Sequence, residues 1–183
     1  MKITATSIHG PLLIEPDVFK DARGFFFESF NQRKFVQLAG VAVTFVQDNH
    51  SGSVKNALRG LHYQVKQPQG KLIRVVAGEI FDVAVDLRKN SPTLGRWVGN
   101  LLSAENRLMF WIPPGFAHGF LSLADHSEVI YKTTGYWAPE FERCILWNDP
   151  DLAISWQLQE AQPLMSEKDR QGTSFRDAEL LFE

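Results

Sequence analysis

Seven side chains that can ionise or hydrogen-bond strongly fall inside runs that otherwise read as β-strands: Gln47, Asn49, Arg59, His62, Lys71, Asp82 and Tyr131. An inward-pointing polar group without a partner costs roughly 1–3 kcal/mol. So many of them on different strands point to a lined cavity rather than a packed core. The most telling run is RGLHYQ, Arg59 to Gln64, where an arginine and a histidine sit among Leu58, Leu61 and Tyr63. His62 has three readings at this level: a hydrogen-bonded core histidine, a metal ligand, or an acid–base group with an ordinary pKa near neutrality. The others have plain readings too. Lys71 opens its run and fits a solvated edge, Tyr131 fits a core aromatic, and Asp82 fits a buried hydrogen-bonding carboxylate. Asp169 follows Ser166 by three residues in SEKD, a loose capping box.

Strand parity constrains the geometry. Gln47 and Asn49 share a face, as a cavity wall requires. Arg59 and His62 differ by three and would point to opposite faces of a regular strand. Gly60 between them is the expected site of a bulge that turns both inward.

Other chemistries find less support. The five histidines, His9, His50, His62, His118 and His126, contain no H-x-H pair, and Cys144 is the only cysteine. Neither a cysteine-based zinc cluster nor an intramolecular disulfide is possible. There is no G-x-G-x-x-G and no P-loop. Net charge is −2 with no run of one sign, which argues against a nucleic-acid surface but leaves room for a few basic groups on a phosphate. No stretch of about eighteen apolar residues is present. The N-terminal MKITATSIHGPLLIEPDVF lacks an apolar leader core, so a cytoplasmic protein is expected.

These residues need strands to hold them. Residues 80–87, IFDVAVDL, alternate, with Phe81, Val83, Val85 and Leu87 on one face and Asp82, Ala84 and Asp86 on the other. Residues 71–76, 97–102, 107–112, 119–123 and 128–133 are similar runs between turn signals at 68–70, 89–95, 113–115 and 124–127. The pattern predicts one domain over 1–183, an antiparallel sandwich or barrel. Helix is confined to the periphery: QRKFVQLA capped by Asn31 and stopped by Gly40, a short helix from Ser166, and SFRDAELLF at 174–182.

Longer motifs carry a resemblance. RGFFFESFN (23–31), QDNHS (47–51), LRGLHYQ (58–64), PQGKLIRVVAGEIFDVAVDLR (68–88), PPGFAHGF (113–120), YKTTGYWAPEFERCILWNDP (131–150) and LMSEKD (164–169) occur in this order. Together they resemble the dTDP-4-dehydrorhamnose 3,5-epimerase family. The resemblance implies a cupin-type jelly-roll β-sandwich, a homodimer, and no metal or organic cofactor. It implies conversion of dTDP-4-dehydro-6-deoxy-α-D-glucose to dTDP-4-dehydro-β-L-rhamnose. On matching positions it makes His62 the base, Tyr131 the acid, Lys71 the partner of the C4 oxygen, and Asp169 the group that orients His62, with Asp82 as the second candidate for that last role. Arg23 and Arg59 would hold the diphosphate, and Glu28, Gln47, Asn49, His118, Glu142 and Lys168 would complete the pocket. Trp137 falls where the family places an aromatic, often tyrosine, against the thymine, and an indole keeps a stacking face.

That chemistry suits the residues. Inverting carbons beside a ketone requires a base near neutral pKa, an acid on the opposite face, and a cation where the enolate oxygen gathers charge. Rival readings are a single-site 3- or 5-epimerase of another deoxysugar pathway, a sugar-binding jelly roll without catalysis, and a metal-dependent cupin oxygenase.

Overall fold

The computed structural model describes residues 1–158 and 160–181. Two antiparallel sheets face each other. The six-stranded sheet runs in the order β1 (Lys2–Ala5), β2 (Leu12–Glu15), β10 (Met109–Ile112), β7 (Lys71–Ala77), β12 (His126–Thr133) and β5 (Gln47–Val54). The five-stranded sheet runs β13 (Glu142–Cys144), β6 (Leu58–Gln64), β11 (Phe116–Ser122), β8 (Glu79–Asp86) and β9 (Trp97–Ser103). A separate hairpin pairs β3 (Phe19–Asp21) with β4 (Gly24–Phe26).

Alternation along the strands builds three apolar layers. Between the sheets, Ile73, Val75 and Val129 meet Ile80, Ala84, Leu102 and Phe120. Phe81, Val83, Val85 and Leu87 turn outward from the five-stranded sheet, as the alternation predicts, against Leu152, Leu158 and Leu181 of the C-terminal segment. Outside the six-stranded sheet, Leu72, Met109 and Trp111 are covered by Phe35. Phe35 is the buried residue of α1 (Gln32–Ala39), capped as expected. The Asn31 side chain accepts from the Lys34 N–H, and Gly40 at φ +68° donates its N–H to the Val36 carbonyl.

The second helix is α2 (Glu167–Arg170), with Ser166 as N-cap. The third predicted helix does not form over its length. Only a 3-10 turn at Phe175–Asp177 is present, and Phe182 lies outside the described residues. The chain leaves that turn extended, so that Leu181 N–H donates to Leu87 O and Leu181 O accepts from Lys89 N–H. Burying Leu181 against the outer layer thus overrides helix propensity.

Candidate active site

Glycine decides the geometry of β6. Three steps from Arg59 to His62 oppose two steps from Phe120 to His118 on β11, so β6 carries one extra residue. Gly60 has φ +105°, and a Cβ there would lie 2.5 Å from the His118 carbonyl oxygen and 2.7 Å from Gly119 Cα. Only glycine fits so close a backbone crossing. The bulge puts Leu58 and Leu61, three apart, into the same outer layer, and Arg59 and His62 both line one opening beside α2. The parity conflict in RGLHYQ is resolved in the way the glycine suggests.

Inward positions at one end of the sandwich form a cleft of ≈ 220 Å³, lined by Gln47, Asn49, His62, Lys71, Tyr131 and Glu142 among others. The six-stranded sheet supplies Gln47, Asn49, Lys71 and Tyr131, and the five-stranded sheet supplies His62 and Glu142. A second opening of ≈ 430 Å³ shares His62 and adds Arg59, Lys168 and Asp169.

His62 Nε2 lies 2.6 Å from Asp169 Oδ1, and the Asp169 side chain is only 6% exposed. The capping box is half formed: Ser166 Oγ accepts from the Asp169 N–H at 3.1 Å, while the carboxylate turns to His62. Burial pushes the Asp169 carboxyl up, but the His62 hydrogen bond and charge outweigh it and hold the group below the ordinary carboxylate range. With Nε2 occupied, Nδ1 is the nitrogen left to take a proton.

Asp82 is not the partner of His62. Its carboxylate holds His118 Nε2, 3.0 Å from each oxygen, in a fully buried pair. Burial keeps the His118 imidazole below its ordinary pKa against the pull of Asp82, and Lys71 and His62 push the same way as burial. The pair sits behind the site, with His118 opposite His62 on the neighbouring strand, and neither member is among the residues that line the cleft.

Lys71 loses hydration at the cleft wall, which brings its pKa to about 8 against the pull of Glu142 and Asp82. Burial raises the Tyr131 phenol, Glu142 adds to the rise, and Arg59 opposes it, so the phenol keeps its proton at neutral pH. Glu142 accepts from Trp137 Nε1 at 3.2 Å and pairs with Lys168. Gln47 fixes the same loop, accepting from the Trp137 N–H at 3.1 Å and donating to Asn49 Oδ1 at 2.9 Å. Arg59 donates Nε–H to Ser53 Oγ at 3.0 Å and an Nη2–H to Gly52 O at 2.8 Å.

Two expected site residues stand elsewhere. Arg23 is 90% exposed on the β3–β4 hairpin and pairs with Asp21, and Glu28 pairs with Lys34 at 2.9 Å. The segment between them lies over the outer side of the six-stranded sheet, with Arg107 over Phe25 and Arg74 over Phe27. Within one chain neither residue lines the cleft. Gln69 also lines it, a residue that strand alternation does not mark; its signal in the sequence is the PQG turn directly before Lys71.

Residues 5–177 match the family described as dTDP-4-dehydrorhamnose 3,5-epimerase. The chain belongs to that family. A dTDP-4-dehydrorhamnose 3,5-epimerase of Pseudomonas aeruginosa is 62% identical over 98% of each chain. The structure of the dTDP-6-deoxy-D-glucose-3,5-epimerase of Legionella pneumophila in complex with dTDP-4-keto-L-rhamnose superposes with a TM-score of 0.96. It is 49% identical and covers 100% of this chain and 98% of its own. A 3′-monoepimerase of Streptomyces bikiniensis in complex with dTDP-quinovose gives a TM-score of 0.90 at 34% identity, covering 97% and 91%. The family member described here is accordingly an isomerase acting on dTDP-sugars, with a cupin-type jelly-roll fold.

Proposed function

We propose that this chain inverts both C3 and C5 of dTDP-4-dehydro-6-deoxy-α-D-glucose, giving dTDP-4-dehydro-β-L-rhamnose. The observation that carries the reading is His62, held by Asp169 at 2.6 Å, sharing one cleft with Lys71 and Tyr131. His62 Nδ1 removes the proton beside the ketone, and Asp169 stabilises the imidazolium that results. The Lys71 ammonium faces the oxygen that becomes the enolate. Tyr131 returns a proton from the opposite face, inverting the carbon, and the cycle repeats on the other side of the ketone. Side chains supply every proton transfer in this scheme, and it uses no metal or organic cofactor. Trp137, 56% exposed at the rim, offers a face for the thymine. His118 backs His62 from the neighbouring strand, and Gln47, Asn49, Glu142 and Lys168 position the sugar and the rim loop.

Arg59 serves the diphosphate from within the chain. Arg23 reaches it only from a second copy, and we propose a homodimer in which the β3–β4 hairpin crosses to its partner. Phe19, Phe25 and Phe26, 65%, 58% and 71% exposed on a hairpin that pairs with no other strand among the described residues, support this. The single cysteine supports placing the reaction in the cytoplasm. Inversion at C3 alone is the second reading, favoured by the likeness to a 3′-monoepimerase; the higher identity to 3,5-epimerases favours the first. His62→Ala tests catalysis against mere sugar binding. Proton exchange is expected to vanish while calorimetry still records dTDP binding, and wild-type exchange no faster than the variant's would contradict an enzyme.

A further inference from the structure

Cys144 takes no part in the proton transfers above, yet it lies against them. β13 pairs with β6 so that Cys144 stands opposite His62. α2 brings Asp169 over the same point. Cys144 Sγ, a ring nitrogen of His62 and a carboxylate oxygen of Asp169 all lie within 4.8 Å of one another. The His62 nitrogen facing Asp169 is Nε2. The thiol's hydrogen-bond contacts are long, 3.6 Å to Ile145 O and 4.0 Å to Asp169 O, so no strong partner competes for the sulfur.

Thiolate, imidazole and carboxylate together suit borderline-soft divalent cations and not Mg²⁺ or Ca²⁺. Tetrahedral zinc holds such ligand atoms roughly 3.3–3.8 Å apart. Cys144 therefore needs to close by about 1 Å, while the His62–Asp169 contact opens by a similar amount. Three protein ligands leave a fourth position for water, and two of the three, His62 and Asp169, line an opening. The nearby Lys168 ammonium is already paired with Glu142.

We propose that Zn²⁺ or Cd²⁺ binds at His62, Cys144 and Asp169 and switches the enzyme off, an inference that rests on His62 being the base. Cys144 gives its thiol proton to solvent, and its sulfur lone pair bonds the metal. The metal also takes the Nε2 lone pair, and the ring's single proton moves to Nδ1. An imidazole in that state has no lone pair for a substrate proton, and Asp169 no longer orients it.

The test uses the full chain. Cd²⁺ is titrated while following the ultraviolet thiolate-to-metal charge-transfer band, Zn²⁺ is titrated by calorimetry, and turnover is measured with and without chelator. One equivalent per chain is expected to raise the band and abolish turnover, and chelator restores it. Cys144→Ser is expected to lose the band and to need about a hundredfold more Zn²⁺ or higher for inhibition, with metal-free turnover unchanged. No band in the wild-type protein overturns the site without recourse to any variant. Equal Zn²⁺ sensitivity of wild type and C144S overturns it as well. A band in a protein that shows no turnover even when metal-free would uphold the metal site and refute the epimerase reading instead.

Discussion

Lys71 carries a charge that folding disfavours and the proposed reaction needs, so Lys71→Met separates the two. The folded-state pKa is about 8 against an ordinary 10.5, with loss of hydration as the dominant cause. Between those values the unfolded chain binds a proton that the folded chain has lost, so stability rises with pH across that window. Well below pH 8 both states are protonated and the whole penalty stands, on the order of 3–4 kcal/mol at about 1.4 kcal/mol per pH unit. Methionine fills similar space without charge. Neither carboxylate is orphaned by the change, because Glu142 keeps Lys168 and Asp82 keeps His118. Urea unfolding at pH 7 is expected to show Lys71→Met more stable than wild type by about 1–3 kcal/mol, the gap closing as pH rises past about 10. The same variant loses the cation proposed to face the enolate oxygen, and its kcat is expected to fall by about 10²–10³. A variant less stable than wild type at pH 7, or one turning over within about tenfold of it, would refute the reasoning.

Asp169→Asn is expected to lower kcat by about 10²–10⁴ with little change in KM, because His62 loses the charge that fixes its tautomer and stabilises its protonated form. Steady-state kinetics check this, and an undiminished kcat would make Asp169 only a helix residue. Gly60→Ala forces a Cβ into the β11 backbone at a left-handed φ, and a stability loss of about 3 kcal/mol or more is expected in urea; near-wild-type stability would remove the bulge argument. For the dimer, mixing Arg23→Ala with His62→Ala chains under exchange is expected to restore activity to about a quarter of the sites. Light scattering that shows a monomer at micromolar concentration, or no complementation, would contradict the exchanged hairpin.

The sequence is legible where local rules and burial agree. Alternation in 80–87 assigns Phe81, Val83 and Val85 to one layer, and Asn31 and Gly40 bound α1 because capping is a local matter. Gly60 flags the bulge because Arg59 and His62 otherwise point apart. The partners of buried carboxylates are less legible. Asp82 and Asp169 both sit near histidines in the folded chain, and only the pairing of β8 with β11 and the docking of α2 assign one to His118 and the other to His62. Residues 174–182 look helical by composition, yet a long-range edge contact at Leu181 decides the described part, 174–181. Arg23 shows the same limit: its motif marks it as a substrate contact, whereas one chain folds with it on the outer side of the sheet.

The proposed reaction requires proton exchange at two carbons on either side of one ketone. Incubating the protein with dTDP-4-dehydro-6-deoxy-α-D-glucose in D₂O and reading the product by NMR tests it most directly. Deuterium at both C3 and C5, with inversion at each, is the expected result. Deuterium at only one of them, or at neither, would contradict the account.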